Sequence, residues 1–430
     1  MEMAAYPAYD NYKDSCVEWI GVIPDHWEVR RSKFLFSQSK ELARSNDIQL
    51  SATQSHGVIP QAEYQDMVGR RVTQIQTNLE KRKHVEIDDF VISMRSFQGG
   101  IERAKAAGCI RSSYIILKPG PKIHPAFYAY VLKAPRYIQA LQITGHFIRD
   151  GQDLNFENFS AVDLFVIPVL EQRAIAAFLD EKCAGVDEAV RIKEQEIVLL
   201  RERRQILIQH AVTRGLNPNA PMKDSGIDWI GKIPAHWNVR RNFTLFRESK
   251  RSGNANLPVL SVSIHSGVST EELSEEENIR SAIKIEDRTS YKEVLPGFVA
   301  YNMMRAWQGG IGSVSVHGMV SPAYVVAEPI AEVDASFFEL LYRTPVYIWQ
   351  MDAASKGITD FRKRLYWDDF RNLVTILPPM DEQHQIIQSI TAMTTKINSG
   401  ITIKERQVAA LKEYKTSLIN AAVTGKIKVI

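Results

Sequence analysis

Cysteine is nearly absent from this 430-residue chain. Cys16, Cys109 and Cys183 stand far from any CxxC spacing, which excludes a disulfide framework and a cysteine-based zinc site. No run of ~18 apolar residues occurs, so no membrane-spanning helix is expected. The opening MEMAAYPAYDNYK has no apolar stretch suited to secretion, and the expectation is a cytoplasmic protein with no membrane partner. Excess charge is lacking too: 53 Lys and Arg against 50 Asp and Glu leave +3. That balance permits a nucleic-acid partner without requiring one. Catalytic signatures are missing as well, with no NPPY or DPPY tetrapeptide, no GxGxxG or GxxxxGK loop and no HExxH. NPNAP at 217–221 comes nearest to the first and lacks the aromatic residue. What remains is a chain with 45% hydrophobic residues, long enough for two to four domains with cores of their own.

The chain does contain a repetition. DSCVEWIGVIPDHWEVRR at 14–31 returns as DSGIDWIGKIPAHWNVRR at 224–241, identical at twelve of 18 positions. The offset of 210 persists in MRSFQGGI at 94 against MRAWQGGI at 304, and in Tyr114, Pro135 and Tyr137 against Tyr324, Pro345 and Tyr347. From Glu171-Gln172 against Glu382-Gln383 it becomes 211 and stays there through AVT at 211–213 and 422–424. The chain is a tandem duplication with a period too long for a solenoid or propeller.

Each copy has two parts. The first ~150 residues mix short strand-like runs (FVISM, YIILKPG, FVAYNMM, AYVVAEP) with one helical stretch, PAFYAYVLKAPRYIQALQ or ASFFELLYRTPVYIWQM, an α/β pattern. The last ~45 residues lose Pro and Gly and consist of good helix formers. There, alternating steps of four and three visit Leu179, Cys183, Val186, Val190, Lys193, Ile197, Leu200, Arg204, Leu207 and Ala211. Adding 211 gives Ile390, Thr394, Ile397, Ile401, Lys404, Val408, Leu411, Lys415, Leu418 and Ala422, with basic interruptions at the same two places. A shared 3.5-residue cadence calls for a narrow partner surface, hence two helices paired on each other rather than each on its own domain. Lys193 and Lys404 would then limit register slippage. The expected architecture is α+β: two α/β heads in a pseudo-two-fold repeat, joined by two long helices in an antiparallel coiled coil. The segments are a first head at 1–168, a helix at 169–216, a second head at 217–378 and a helix at 379–430. Such a pseudo-dimer, with its heads at opposite ends, suits duplex DNA, which dimeric readers contact at two separated sites.

In WIGxIPxHW, MRxxQGG followed in the second copy by SxxY, the Pro and EQ of IPVLEQRAIAAFL and LPPMDEQHQIIQSI, and the closing AVTRG and AVTGK, the whole chain resembles the specificity (S) subunits of Type I restriction-modification systems, the HsdS family. That resemblance implies a non-catalytic subunit whose heads are target-recognition domains, each reading one half of a bipartite double-stranded DNA sequence. It implies helices that set the gap and dock two methyltransferase subunits, with restriction subunits joining them. It also places AdoMet, ATP and Mg on those partners and no cofactor or metal on this chain. The copies depart from one another at Cys16 against Gly226, and the second head carries an acidic run, STEELSEEEN. By repulsion, Glu271 to Glu277 should face away from phosphate.

DNA readers need cations for phosphates and Arg, Lys, Gln or Asn for base edges. The first head offers Arg70, Arg71, the run Lys81-Arg82-Lys83, and Arg95 with Gln98; the second offers Arg280, Lys292, Arg305 with Gln308, and Arg362-Lys363-Arg364. Retention of Arg95/Arg305 and Gln98/Gln308 in both copies favours backbone positioning or loop structure over base contact, with core hydrogen bonding a third role. Base reading is expected where the copies diverge, in LSATQSHGV against LSVSIHSGV and TGHFIRDGQD against SKGITDFRKR, through Gln54, His56, Arg149, His265 and Arg362. A nuclease metal set of Asp88, Asp89 and Glu102 with Lys105 has no carboxylate in register in the second copy, where GSVSVHG occupies that stretch. His26 and His236, with the tryptophans around them, are expected to pack rather than bind metal or stack on DNA. The alternative function is a coiled-coil adaptor joining protein partners without reading DNA.

Overall fold

The computed structural model describes residues 6–69, 81–144, 154–254, 256–271, 290–357 and 363–429. The chain is α+β and divides into two compact units, Met1–Lys193 with Arg406–Ile430, and Glu194–Glu405. These units cut across the four consecutive segments expected above, because each takes in the start of one long helix and the end of the other.

In the first unit, an antiparallel sheet runs in the order Phe36–Ser39, Ile115–Pro119, Phe90–Ile92, Glu102–Arg103. The second unit repeats that order with Phe246–Glu248, Tyr324–Pro329, Val299–Asn302 and Ile311–Ser313. Aromatic side chains fill the space under each sheet: Phe36, Phe90, Phe127 and Tyr128 in one, Phe246, Tyr301, Phe338 and Tyr342 in the other. The single helical stretch expected in each head is two helices. Pro125–Val131 is followed by Pro135–Ile143, and Ala335–Tyr342 by Pro345–Ala354. The reason is proline at the first helical position, which forces the residue before it out of the α region. Ala134 and Thr344 are extended, with ψ of 134° and 150°.

The long helices run Val169–Arg214 and Met380–Val423. All twenty positions of the four-three cadence are buried or half-buried, whereas Val198, Leu199, Ile206 and Ile403, off the cadence, are exposed. The pairing is antiparallel within each unit. In the first, Lys415 Nζ binds both Asp187 carboxylate oxygens at 2.7 Å. In the second, Lys404 Nζ lies 2.7 Å from Glu196, Arg201 Nη2 lies 3.0 Å from Glu405, and Arg204 Nη1 donates to Asn398 at 2.6 Å. Lys404, Lys415 and Arg204, the basic interruptions of the seam, thus reach across to polar groups on the opposite helix.

The repeated tryptophan segment meets the helix ends. Trp27 is fully buried, donates from Nε1 to Glu171 Oε1 at 3.1 Å and stacks on Phe165 at 5.2 Å. His26 Nε2 lies 2.8 Å from Glu171 Oε2, and Tyr9 donates to Glu171 Oε1 at 2.6 Å. In the second unit, Trp237 Nε1 and His236 Nε2 lie 2.9 and 2.7 Å from Glu382 Oε2. Both glutamates sit in the first turn of a long helix, where its dipole favours an anion. The neighbouring glutamine clasps the head. Gln172 accepts from His124 N at 2.7 Å and donates to the Lys122 and Ile167 carbonyls at 2.8 Å. Gln383 does the same with Asp334 N, Glu332 O and Pro378 O. The closing glycines complete the junction. Gly215 and Gly425 have φ of +74° and +71°, as a residue just past a helix end requires. A Cβ on Gly425 would lie 2.5 Å from Pro24 and 3.0 Å from Trp27. One member of the motif differs between units: Trp19 is buried and donates to Asp163 O, while Trp229 is 42% exposed and packs on Trp349 at 5.1 Å.

One buried titratable group gives the first unit a pH signature. His84 is 2% exposed, with Nδ1 2.8 Å from Asp47 and Nε2 2.9 Å from Glu86. Burial alone would lower its pKa, but the two carboxylates outweigh burial and hold it above the ordinary 6.5. Stability from this group is therefore fully present below pH 6.5 and lost as pH rises through the folded value. Asp47 and Glu86 are held low, Asp47 against the opposing effect of its burial, so their contribution fades only in acid. The wild-type thermal midpoint should fall relative to His84→Asn as pH is raised above 6.5; parallel curves would refute this account.

Candidate nucleic-acid interface

Two of the segments in which the copies diverge, LSATQSHGV and LSVSIHSGV, form hairpins. In the first head, Leu50–Thr53 pairs with Gly57–Pro60 and exposes Gln54, Ser55 and His56 at the tip. Thr53 Oγ1 accepts from His56 N and donates to Gly57 O, both at 3.0 Å. Gly57 has φ +80°, and a Cβ there would lie 2.8 Å from the Arg103 carbonyl, so only glycine fits. In the second head, Val262–Ser263 pairs with Gly267–Val268, Ile264, His265 and Ser266 are exposed, and Ser263 Oγ accepts from His265 N at 3.0 Å. The fold of the tip is common to both heads and its outward side chains differ.

Each tip abuts the Gly-Gly turn of the repeated MRxxQGG motif. Gln54 lies over Gly99, where a Cβ would come within 2.7 Å of its amide, and its Nε2 is 3.5 Å from Arg95 O. Arg95 and Gln98 are exposed beside it. In the second head, His265, Gln308, Gly309 and Arg343 line one cavity of about 510 Å³ together with Arg204 of the first long helix. Arg305 Nη1 donates to Gln308 Oε1 at 2.7 Å, so in that head the retained pair is engaged with itself. Gln54, His56, Arg95 and Gln98 therefore cluster in one head, and His265, Arg305 and Gln308 in the other.

The remaining cations divide differently. Lys81 is exposed, but Arg82 is 9% exposed and turns inward to Cys109 Sγ at 3.8 Å. Lys83 and Lys292 both donate to a tyrosine carbonyl, Tyr114 O and Tyr324 O, at 2.6 Å. These two are partly buried, and burial lowers their pKa values. Lys363 binds Asp352 at 2.7 Å and lies over the Trp307 ring at 5.3 Å. Arg70, Arg71, Arg149, Arg280 and Arg362, like the acidic run beyond Glu271, lie outside the described residues.

The carboxylates of the nuclease alternative have other partners. Asp88 binds Arg103 at 2.6 Å, Asp89 accepts from Glu86 N at 2.9 Å and Glu102 lies 2.7 Å from Lys133. Burial pushes the Glu102 carboxyl up to about 7 despite that lysine. Among the described residues no group of three or more His, Cys, Asp or Glu could hold a metal, and no helix is long and apolar enough to cross a membrane. Lys133 and its counterpart Arg343 were missed in the sequence. Their signal is a cation two residues before a proline in both copies, Pro135 and Pro345.

Neither a protein-family model nor a curated protein matches the chain. Among solved structures, a chain from a study of the structural basis of complex assembly and conformational transition of the type I R-M system aligns with a TM-score of 0.65 at 12% identity, covering 93% of this chain and 98% of that one. The crystal structure of the HsdS subunit from Thermoanaerobacter tengcongensis aligns with a TM-score of 0.54 at 14% identity, covering 94% of this chain and 98% of that one. The chain shares the HsdS fold. On that fold, each head carries a hairpin tip against its Gly-Gly turn; the hairpins share a register and end in different side chains, while the glycine with positive φ is Gly100 in the first turn and Gly309 in the second.

Proposed function

We propose that this chain is the DNA-specificity subunit of a Type I restriction-modification complex, each head reading one half of a bipartite double-stranded target. The observation that carries this is the HsdS fold matched over nine-tenths of the chain. The paired tips support it, because a common scaffold with divergent polar ends is what two readers of different half-sites need. The long helices set the gap between half-sites. Their exposed Val198, Leu199, Ile206 and Ile403 offer apolar area for two methyltransferase subunits, on which restriction subunits assemble. AdoMet, ATP and Mg belong to those partners, and the complex works in the cytoplasm.

The test is a methylome. Coexpression with the cognate methyltransferase should produce one methylated bipartite motif that vanishes when this gene is removed. The purified chain alone should neither methylate nor cut DNA, and duplex binding by the complex should weaken about 10³-fold or more between 50 and 200 mM salt, as six or more phosphate contacts require. A methylome indifferent to this gene would sink the reading and leave the adaptor alternative.

A further inference from the structure

The two tips are held from below by one device built from different parts. Lys133 and Arg343 occupy equivalent positions just past the helices Pro125–Val131 and Ala335–Tyr342. Lys133 Nζ donates to the Gln54 carbonyl at 2.8 Å. Arg343 Nη2 donates to the Ile264 carbonyl at 3.1 Å and also to that of His265. Gln54 and Ile264 are themselves equivalent, at the offset of 210. Each cation also binds a carboxylate: Lys133 binds Glu102 at 2.7 Å, and Arg343 Nη1 binds Glu339 at 3.0 Å.

Those carboxylates are not equivalent. Glu102 stands on a strand at the register of Gly312, while Glu339 stands on a helix at the register of Ala129. The reason is steric. A Cβ at Gly312 would lie 2.6 Å from Val268 N and 2.8 Å from Gly267 Cα, so the second head has no room for a side chain there. Glu339 supplies the charge from the helix instead, and its second oxygen accepts from Ser313 N at 2.8 Å and Ser313 Oγ at 2.6 Å. Both heads keep the ion pair and the cation-to-carbonyl bond although the carboxylate has changed element. A merely local packing feature would not need to be rebuilt from another element.

The consequence is geometric. With a carbonyl of the tip bonded to a cation that is itself paired with a carboxylate, the tip backbone is held in place, and the exposed side chains of residues 54–56 and 264–266 start from that fixed backbone. Base-edge hydrogen bonds need placement to within about 0.5 Å, and an exposed three-residue tip does not hold that alone. Building on the specificity-subunit reading above, we propose that residues 54–56 and 264–266 are the base-reading tips of the two heads and that Lys133 and Arg343 are their positioning residues.

The experiment uses the complex of the full chain with its methyltransferase subunits and duplexes carrying single substitutions in either half-site. Lys133→Met should cut discrimination at the first half-site by about 10- to 100-fold, the worth of one well-placed base contact, with the second half-site read as before. Hydrogen exchange at the amides of residues 54–57 should quicken. Glu102→Gly should act likewise. Transplanting the second head's arrangement with Glu102→Gly, Ala129→Glu and Lys133→Arg together should restore discrimination to within a few-fold, and that rescue decides the matter if Lys133→Met fails to fold. Quickened exchange with discrimination intact at the first half-site would overturn the proposal, as would equal loss at both half-sites or failure of the transplant to rescue. A wild-type complex with no bipartite specificity would instead refute the reading on which the proposal rests.

Discussion

Trp27→Ala should loosen the first unit by about 3–5 kcal/mol, the cost of truncating a buried tryptophan to alanine. Trp27 is fully buried, stacks on Phe165, donates to Glu171 and has the helix-ending Gly425 against its ring. Removing it opens a cavity between the head, the start of one long helix and the end of the other, and takes one of three donors from Glu171. His26 and Tyr9 remain on that carboxylate, which keeps Glu171 from being stranded. His26→Ala should cost far less, because His26 is 47% exposed and a solvent-screened pair is worth about 1 kcal/mol at most. Amide exchange in Phe90–Ile92 and Ile115–Pro119 should accelerate in Trp27→Ala while Val299–Asn302 in the second unit stays protected; Trp237→Ala should give the reverse. Equal acceleration in both sheets would mean that the two units open together and that each anchor serves the whole chain.

Replacing residues 1–168 by the corresponding head of a related subunit should change one half of the methylated sequence completely and leave the other half untouched. Each unit has its own sheet, its own core and its own tip. A junction at 168 keeps Glu171 and Gln172 in place, and these two hold the incoming head through its His-Trp pair and through backbone groups equivalent to Lys122 O and His124 N. The retained chain end must also fit, since Leu418, Ala421, Val423 and Ile427 belong to the first core. The measurement is the methylated motif of the chimera. If both halves changed, neither head would be an independent reader.

The sequence alone disclosed the duplication, the α/β character of the heads and the two helices with their seam. These are properties of spacing. A four-three cadence marks the faces of a helix whatever it packs on, and a constant offset marks a repeat before any contact is known. Sequence also located the divergent tips, because identity around a short polar difference singles out LSATQSHGV and LSVSIHSGV. It did not disclose partners. That His26 and Trp27 converge on Glu171 depends on contacts across about 145 residues of chain. Arg82 and Lys83 read as one basic surface with Lys81 until the fold turned them onto Cys109 and the Tyr114 carbonyl. The ion pairs beneath the tips were the least legible of all. Glu102 and Glu339 share no register, and only the three-dimensional approach of Gly312 to the second hairpin explains why one carboxylate comes from a strand and the other from a helix. Periodicity is written between neighbours along the chain, whereas a buried charge is neutralised by whatever cation the packing brings within reach, and that choice belongs to the tertiary structure.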